Sequence, residues 1–289
     1  METIGIQTSA MLVELNISSW TARKLDRRVS DEVDASNATR ARAGNYNKNL
    51  LAGTQVLDSI IKYAANARAW HNRQTIPWSD NGLRLLPMQL FLDYKAQLNT
   101  LEQNYNKLVD NFIDVYPNLV SAAAFNLSDL FNRDEYPDAE VVRNKFGFSY
   151  YFTPVPMAGD FRVDTNEAAL NELKDHYEKH YNNRLESAMT DVWQRLHSCL
   201  THIKDRLTDE VVNGDSKKKI FRDSLIENAI ELTNIMPALN LTNDPKLTQA
   251  TKDLKQALLG VDAKELRDNG TVRQDVRMQV EEILGKFQF

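Results

Sequence analysis

In this 289-residue chain, histidine, cysteine and basic clusters are the groups whose types and spacing bear on chemistry. His176 and His180 stand four apart in HYEKH, a spacing that puts two imidazoles on one helix face where a metal ion would take both. The zinc-protease pattern needs a glutamate directly after the first histidine. Tyr177 stands there instead, so a solvated helix face is the expectation. His197, Cys199 and His202 form a second cluster. Cys199 falls on an apolar seam whose face His197 does not share. A nucleophilic cysteine needs a positioned base and a lowered pKa; the sequence supplies neither, and a buried structural thiol is expected. GDSKKK, from Gly214 to Lys219, lacks the leading glycine and the GK[ST] of a phosphate-binding loop and reads as a basic turn between helices. No dinucleotide fingerprint, nucleophile elbow or two-metal carboxylate set is present. The expectation is a protein that is not an enzyme and carries no cofactor or metal.

A third cluster is basic: Arg23, Lys24, Arg27 and Arg28, with Arg40 and Arg42 beyond it. Such a cluster can contact phosphates. Asp26, Asp31, Glu32 and Asp34 are interleaved with it, so solvated or intersubunit ion pairs are the competing reading.

The elements that must carry these groups are mostly helical. The chain is 42% hydrophobic and 26% charged with a net charge of −5, as in ordinary soluble domains, and nothing drives it as a whole toward nucleic acid or membrane. Ten glycines and eight prolines leave few punctuation points, so long helices follow. A single cysteine fits a reducing compartment such as the cytoplasm. The start of the chain lacks the basic region of a signal peptide, and no apolar run reaches membrane-spanning length.

MLVELNI (11–17) alternates and predicts a strand, followed by a helix over Trp20–Val29 and a loop or weak helix beyond. A helix is predicted over 46–72. Phe91, Tyr94, Leu98, Leu101, Tyr105, Leu108, Phe112 and Val115 then follow three-four spacing, a heptad seam that Pro117 ends or kinks. Alternation returns at Phe146, Phe148, Tyr150 and Phe152, stopped by Pro154 and Pro156; a turn at 158–159 and a return strand over 160–163 would complete a hairpin. Asp164 and Glu167 suggest a capping box opening a helix that runs to Val212. Further helices are predicted over 217–235, from Pro245 to Gly260, from Asp262, and over 271–286.

Two stretches, LVELNISSWTARKLDRRVSDEV and PVPMAGDFRVD, resemble an uncharacterised family of bacteriophage and prophage proteins. Trp20, Arg23, Lys24, Leu25, Pro156, Gly159, Phe161 and Arg162 carry the likeness. The resemblance implies no catalytic residues. It implies a partner instead, because such genes often lie beside those of AAA-type ATPases.

Together these readings predict a mainly α protein with a small antiparallel sheet, an α+β fold forming one elongated domain. A strand and basic helix occupy 1–42. A helical hairpin follows, 45–140 and 164–212 joined by the β-hairpin 144–163, with helices 83–116 and 164–212 antiparallel. A helical region, 213–289, closes the chain. The functional expectation is a phage-encoded structural or scaffold protein acting as a homo-oligomer, a ring, glued at the edge of the sheet. The alternatives are nucleic-acid binding in phage DNA metabolism and an adaptor role for a AAA-type ATPase. Candidate interface residues are Trp20, Arg23, Lys24, Arg27, Arg28, Phe148, Tyr150, Phe152, Phe161 and Arg162.

Overall fold

The structure is a computed structural model and describes residues 6–156, 167–212, 215–217 and 219–287. It is mainly α with a small antiparallel sheet, as predicted.

A single helical turn, α1 (Ile6–Ser9), leads into β1 (Ala10–Ser18). The predicted helix over 20–29 is replaced by β2 (Arg23–Leu25) and α2 (Arg27–Ser36). Ala22 takes φ 50°, which a right-handed helix does not accommodate, and the Asp26 carboxylate then accepts from the Val29 amide and caps α2, which starts at Arg27 rather than at Trp20. The helix predicted from Tyr46 begins only at α3 (Val56–Gln74), because β3 (Asn47–Asn49) pairs with β2 and Gly53 turns the chain at φ 87°. Two strands follow, β4 (Ile76–Pro77) and β5 (Arg84–Pro87); β5 takes the place of the start of the helix expected over 83–116.

After Pro87, α4 (Phe91–Leu127) continues past Pro117 without ending there. An internal proline costs about 3 kcal/mol; Phe112, Tyr116, Val120 and Ala123 are buried on both sides of it and outweigh that cost. The buried stripe of α4 is Tyr94, Leu98, Tyr105, Val109, Phe112 and Tyr116, so the helix keeps the 3.6-residue period rather than the strict heptad, and Val115 is left exposed. A short α5 (Ala139–Arg143) precedes β6 (Gly147–Pro154), the expected aromatic strand. The expected turn, return strand and capping aspartate lie outside the described residues.

α6 (Glu167–Leu207) stops before the predicted Val212, and β7 (Glu210–Val212) and β8 (Asp215–Lys217) form a ribbon there. α7 (Ser224–Leu239) starts later than predicted and includes Pro237. α8 (Pro245–Ala257), α9 (Ala263–Asp268) and α10 (Gly270–Lys286) follow their caps: Asp244, Asp262 and Asn269 each accept from amides of the first turn, and Pro245 stands at its first position. The larger sheet has the order β4-β5-β1-β6, with Ala10 opposite Pro87 and Val13 opposite Arg84.

The expected single domain is divided. One unit comprises Met1–Glu14, Asn72–Leu92 and Phe152–Phe289; the other comprises Leu15–His71 and Asp93–Tyr151. Nearly all of α4 and the whole of α6 therefore fall in different units. The antiparallel pairing expected of helices 83–116 and 164–212 is replaced, on the α6 side, by packing against α10, α7 and α8. The physical reason is that Val192, Leu196, Leu200 and Ile203 of α6 find their apolar complement in Ala229 and Met236, Leu247 and Leu254, and Val276 and Val280. In the second unit Phe112 is fully buried, with the rings of Trp20, Tyr116 and Phe146 5.6–6.4 Å away.

Candidate functional site

The proposed interface residues scatter. Trp20 is a core residue, packed edge-on against Phe112 and Tyr116, and is corrected as a surface candidate. Phe148 is likewise buried, 5.7 Å from the Tyr105 ring. Phe152 is half-buried on Phe91, and Tyr150, also half-buried, donates its hydroxyl to Asn99 at 2.7 Å. The outward aromatic of β6 is Tyr151. Phe161 and Arg162 lie outside the described residues.

The basic cluster divides by charge partner. Arg28 pairs with Glu32 at 2.7 Å, and Arg42 pairs with both Asp31 and Asp34. Asp26 lies 3.5 Å from the buried Lys48, whose ammonium also meets Glu135 at 2.6 Å and donates to the Leu130 carbonyl at 2.7 Å. The Asp26 carboxyl is held below its ordinary pKa, first by the Val29 amide and then, against a smaller desolvation effect, by Lys48. Arg23, Lys24 and Arg27 remain exposed without hydrogen-bond or ion-pair partners among the described residues.

The histidines sit on α6. His176 and His180 are both exposed, in a part of the helix that buries nothing: from Glu167 to Ser187 no side chain is buried, and burial begins at Ala188. Tyr177 and Tyr181 are half-buried there. Tyr177 donates to the Pro156 carbonyl, and Tyr181 packs edge-on to Trp78 at 5.4 Å. Among the described residues no group of three or more His, Cys, Asp or Glu could hold a metal ion.

Farther along, α6 turns a polar face to α7 across a cleft of about 850 Å³. Asp191, Arg195, Cys199, His202 and Arg206 lie on that face at helical spacing, and Leu225, Ala229, Leu232 and Ile235 of α7 oppose them. Arg73 and Arg84 close one part of the cleft and Ile220–Arg222 another. Cys199 and His202 are thus brought onto one wall, while His197 is not. Burial pushes the Cys199 thiol up to about 11, the opposite direction from the lowered pKa of an activated thiol.

No protein family, curated protein or solved structure matches the chain. Function is therefore argued from the surfaces themselves. The five arginines of the cleft were missed in the sequence because they are spread from residue 73 to residue 222 with no local motif. The only local signal was KKKIFR (217–222), where two apolar residues interrupt a basic run.

Proposed function

We propose that the protein is a non-enzymatic assembly component that forms a closed homo-oligomer through the first half of α6. The observation that carries this reading is the absence of any buried side chain over 167–187, a stretch of about 31 Å at 1.5 Å per residue. Helices of this length are marginal alone in water and draw their stability from a packed face. The stretch is amphipathic: Leu170, Leu173 and Tyr177 continue at three-four spacing the stripe whose next members, Tyr181 and Leu185, pack against the chain's own core, which leaves Leu170 and Leu173 as the apolar groups on offer.

Charge supports a second copy in antiparallel orientation. Glu167, Glu172, Asp175 and Glu178 outnumber Lys174 in the first part of the stretch; Lys179 and Arg184 outnumber Glu186 in the rest. Antiparallel pairing sets the acidic part of each copy against the basic part of the other, whereas parallel pairing stacks acid on acid. Such a contact is isologous and closes at two copies; a ring requires a further, heterologous contact. The resemblance to phage proteins supports a scaffold role for this assembly, with a AAA-type ATPase as a candidate partner.

Light scattering coupled to gel filtration tests the reading. A mass of at least twice 33.1 kDa at micromolar concentration is expected, falling to one chain on Leu173→Glu. One chain for the unmodified protein overturns it.

A second reading, nucleic-acid binding, draws on the exposed and unpaired Arg23, Lys24 and Arg27. Three phosphate contacts imply a log–log salt slope of about −3 on duplex DNA. Titration of labelled DNA at low salt with no binding removes this reading.

A further inference from the structure

The α6–α7 cleft combines features that self-assembly does not use. Its rim is cationic: Arg73, Arg84, Arg195, Arg206 and Arg222 face Asp191 and Glu231 alone among acids. This excess of positive charge stands out in a chain whose net charge is −5.

The arginines fall into two groups. Arg84 and Arg195 are anchored: Arg84 donates to the Thr75 hydroxyl at 2.7 Å and its carbonyl at 3.1 Å; Arg195 reaches the same carbonyl at 2.8 Å and pairs with Asp191 at 2.7 Å. They build the wall. The rest keep donors in reserve. Arg73 is half-exposed and only 4.0 Å from Glu231, the limit of an ion pair. Arg206 is exposed and its Nε donates to His202 Nε2 at 3.4 Å. Arg222 is exposed and has no hydrogen-bond or ion-pair partner among the described residues. Guanidinium forks with free donors match the oxygens of phosphate in geometry and charge.

Opposite them the wall is apolar. Leu225, Leu232 and Ile235 are only half-buried, and Ile220 at the margin is 85% exposed. Asn72, Asn228, Ser198 and Ser224 add neutral hydrogen-bonding groups between the two regions. The cleft volume falls within the range of small-ligand sites. One molecule presents all three demands together: a polyanionic end, a flat apolar face, and a polar edge.

We infer that the α6–α7 cleft is a binding site for a nucleoside diphosphate, with Arg73, Arg206 and Arg222 gripping the phosphates and the base lying against the α7 wall. No bond is made or broken. This site is separate from the assembly face at 167–187, so failure of either leaves the other standing.

Calorimetric titration of the whole protein with ADP, GDP, CDP, UDP and dTDP, alongside pyrophosphate and adenosine, tests the inference. At least one diphosphate binds at micromolar concentration, and at least about tenfold more tightly than either fragment, because each fragment uses only half of the site. Binding weakens as salt is raised. Arg206→Ala with Arg222→Ala weakens it by about tenfold or more. The inference is overturned if none of the five diphosphates binds below millimolar concentration. Pyrophosphate binding as tightly as the best nucleotide overturns it, as does a diphosphate affinity left unchanged by the double substitution.

Discussion

Arg273 is the side chain whose loss the first unit should feel most. It is 3% exposed, at the start of α10, and spends its guanidinium on backbone. Nε donates to the Leu207 carbonyl at 3.1 Å, and Nη2 donates to the Arg206 carbonyl at 2.8 Å and, more weakly, to that of Lys219 at 3.4 Å. Arg206 and Leu207 close α6, so their carbonyls lack intrahelical partners and depend on this outside donor. The guanidinium carbon also lies 5.6 Å from the centre of the Phe221 ring. Arg273→Ala strands buried acceptors, each worth about 1–3 kcal/mol, and removes a cation–π contact of about 1 kcal/mol. The ion pair with Asp209 adds little, being 3.4 Å long with a partner 40% exposed. A loss of about 3–5 kcal/mol is expected for Ala, and roughly half of that, on the same scale, for Lys, which keeps the charge but not the fork. A chain with two units need not unfold in one step, so native-state hydrogen exchange is the suitable assay. Protection of amides in α6 and α10 should fall by about two to three powers of ten, since 1.4 kcal/mol is a factor of ten. A loss below about 1 kcal/mol, or one confined to Leu15–His71 and Asp93–Tyr151, would refute the reasoning.

In the second unit, Phe112→Ala removes a fully buried ring and should cost about 3–5 kcal/mol, read as a lowered urea midpoint. Asp244→Ala removes both the α8 cap on the Lys246 amide and the acceptor of the Trp193 indole N–H at 3.1 Å; about 1–2 kcal/mol is expected, with a shift in Trp193 emission that a pure capping loss would not produce. Alkaline pH should destabilise the fold. Burial pushes the Cys199 thiol to about 11, and burial, then Glu135 and Tyr116, push Tyr136 to about 12. The unfolded groups release their protons at about 8.5 and about 10, so the folded state binds more protons and stability falls as pH rises from about 8.5 to 12. Urea midpoints across that range check the sign; Cys199→Ser should flatten the lower part and Tyr136→Phe the upper, and a rising midpoint contradicts the assignment. Gly53 has φ 87°, and an added Cβ would lie 3.1 Å from Asn126 Nδ2; Gly53→Ala should cost about 1–2 kcal/mol in a thermal or urea transition.

Where a local rule decided the structure, the sequence was readable. β1 follows from alternation, and α8, α9 and α10 follow from Asp244, Asp262, Asn269 and Pro245, whose effects reach only three residues. Where tertiary packing overrode the local rule, it was not. RKL and NKN carry no alternation, yet they pair as β2 and β3. Pro117 reads as a helix end or kink and Pro237 as a helix end, yet burial carries α4 and α7 past them. Leu85 and Leu86 are both buried, so β5 shows no period of two. The Arg73–Arg222 cleft was hidden for a further reason: side chains 149 positions apart in the sequence meet only after α6 and α7 have docked.

The division into units has a consequence for the order in which the chain can fold during synthesis. The boundaries at residues 14–15, 71–72, 92–93 and 151–152 fall inside β1, α3, α4 and β6, not in linkers. The second unit contains no residue beyond Tyr151, so all of it has been synthesised while more than a hundred residues remain untranslated. The first unit must wait. Ile6 and Leu12 belong to a core completed by Val280 and Ile283, and until α10 emerges its N-terminal strand has no finished hydrophobic surface to join. A nascent chain that has emerged through α6 but not yet through α7–α10 would therefore hold one unit able to fold and the apolar stripe of α6 uncovered, the species on which a chaperone would act.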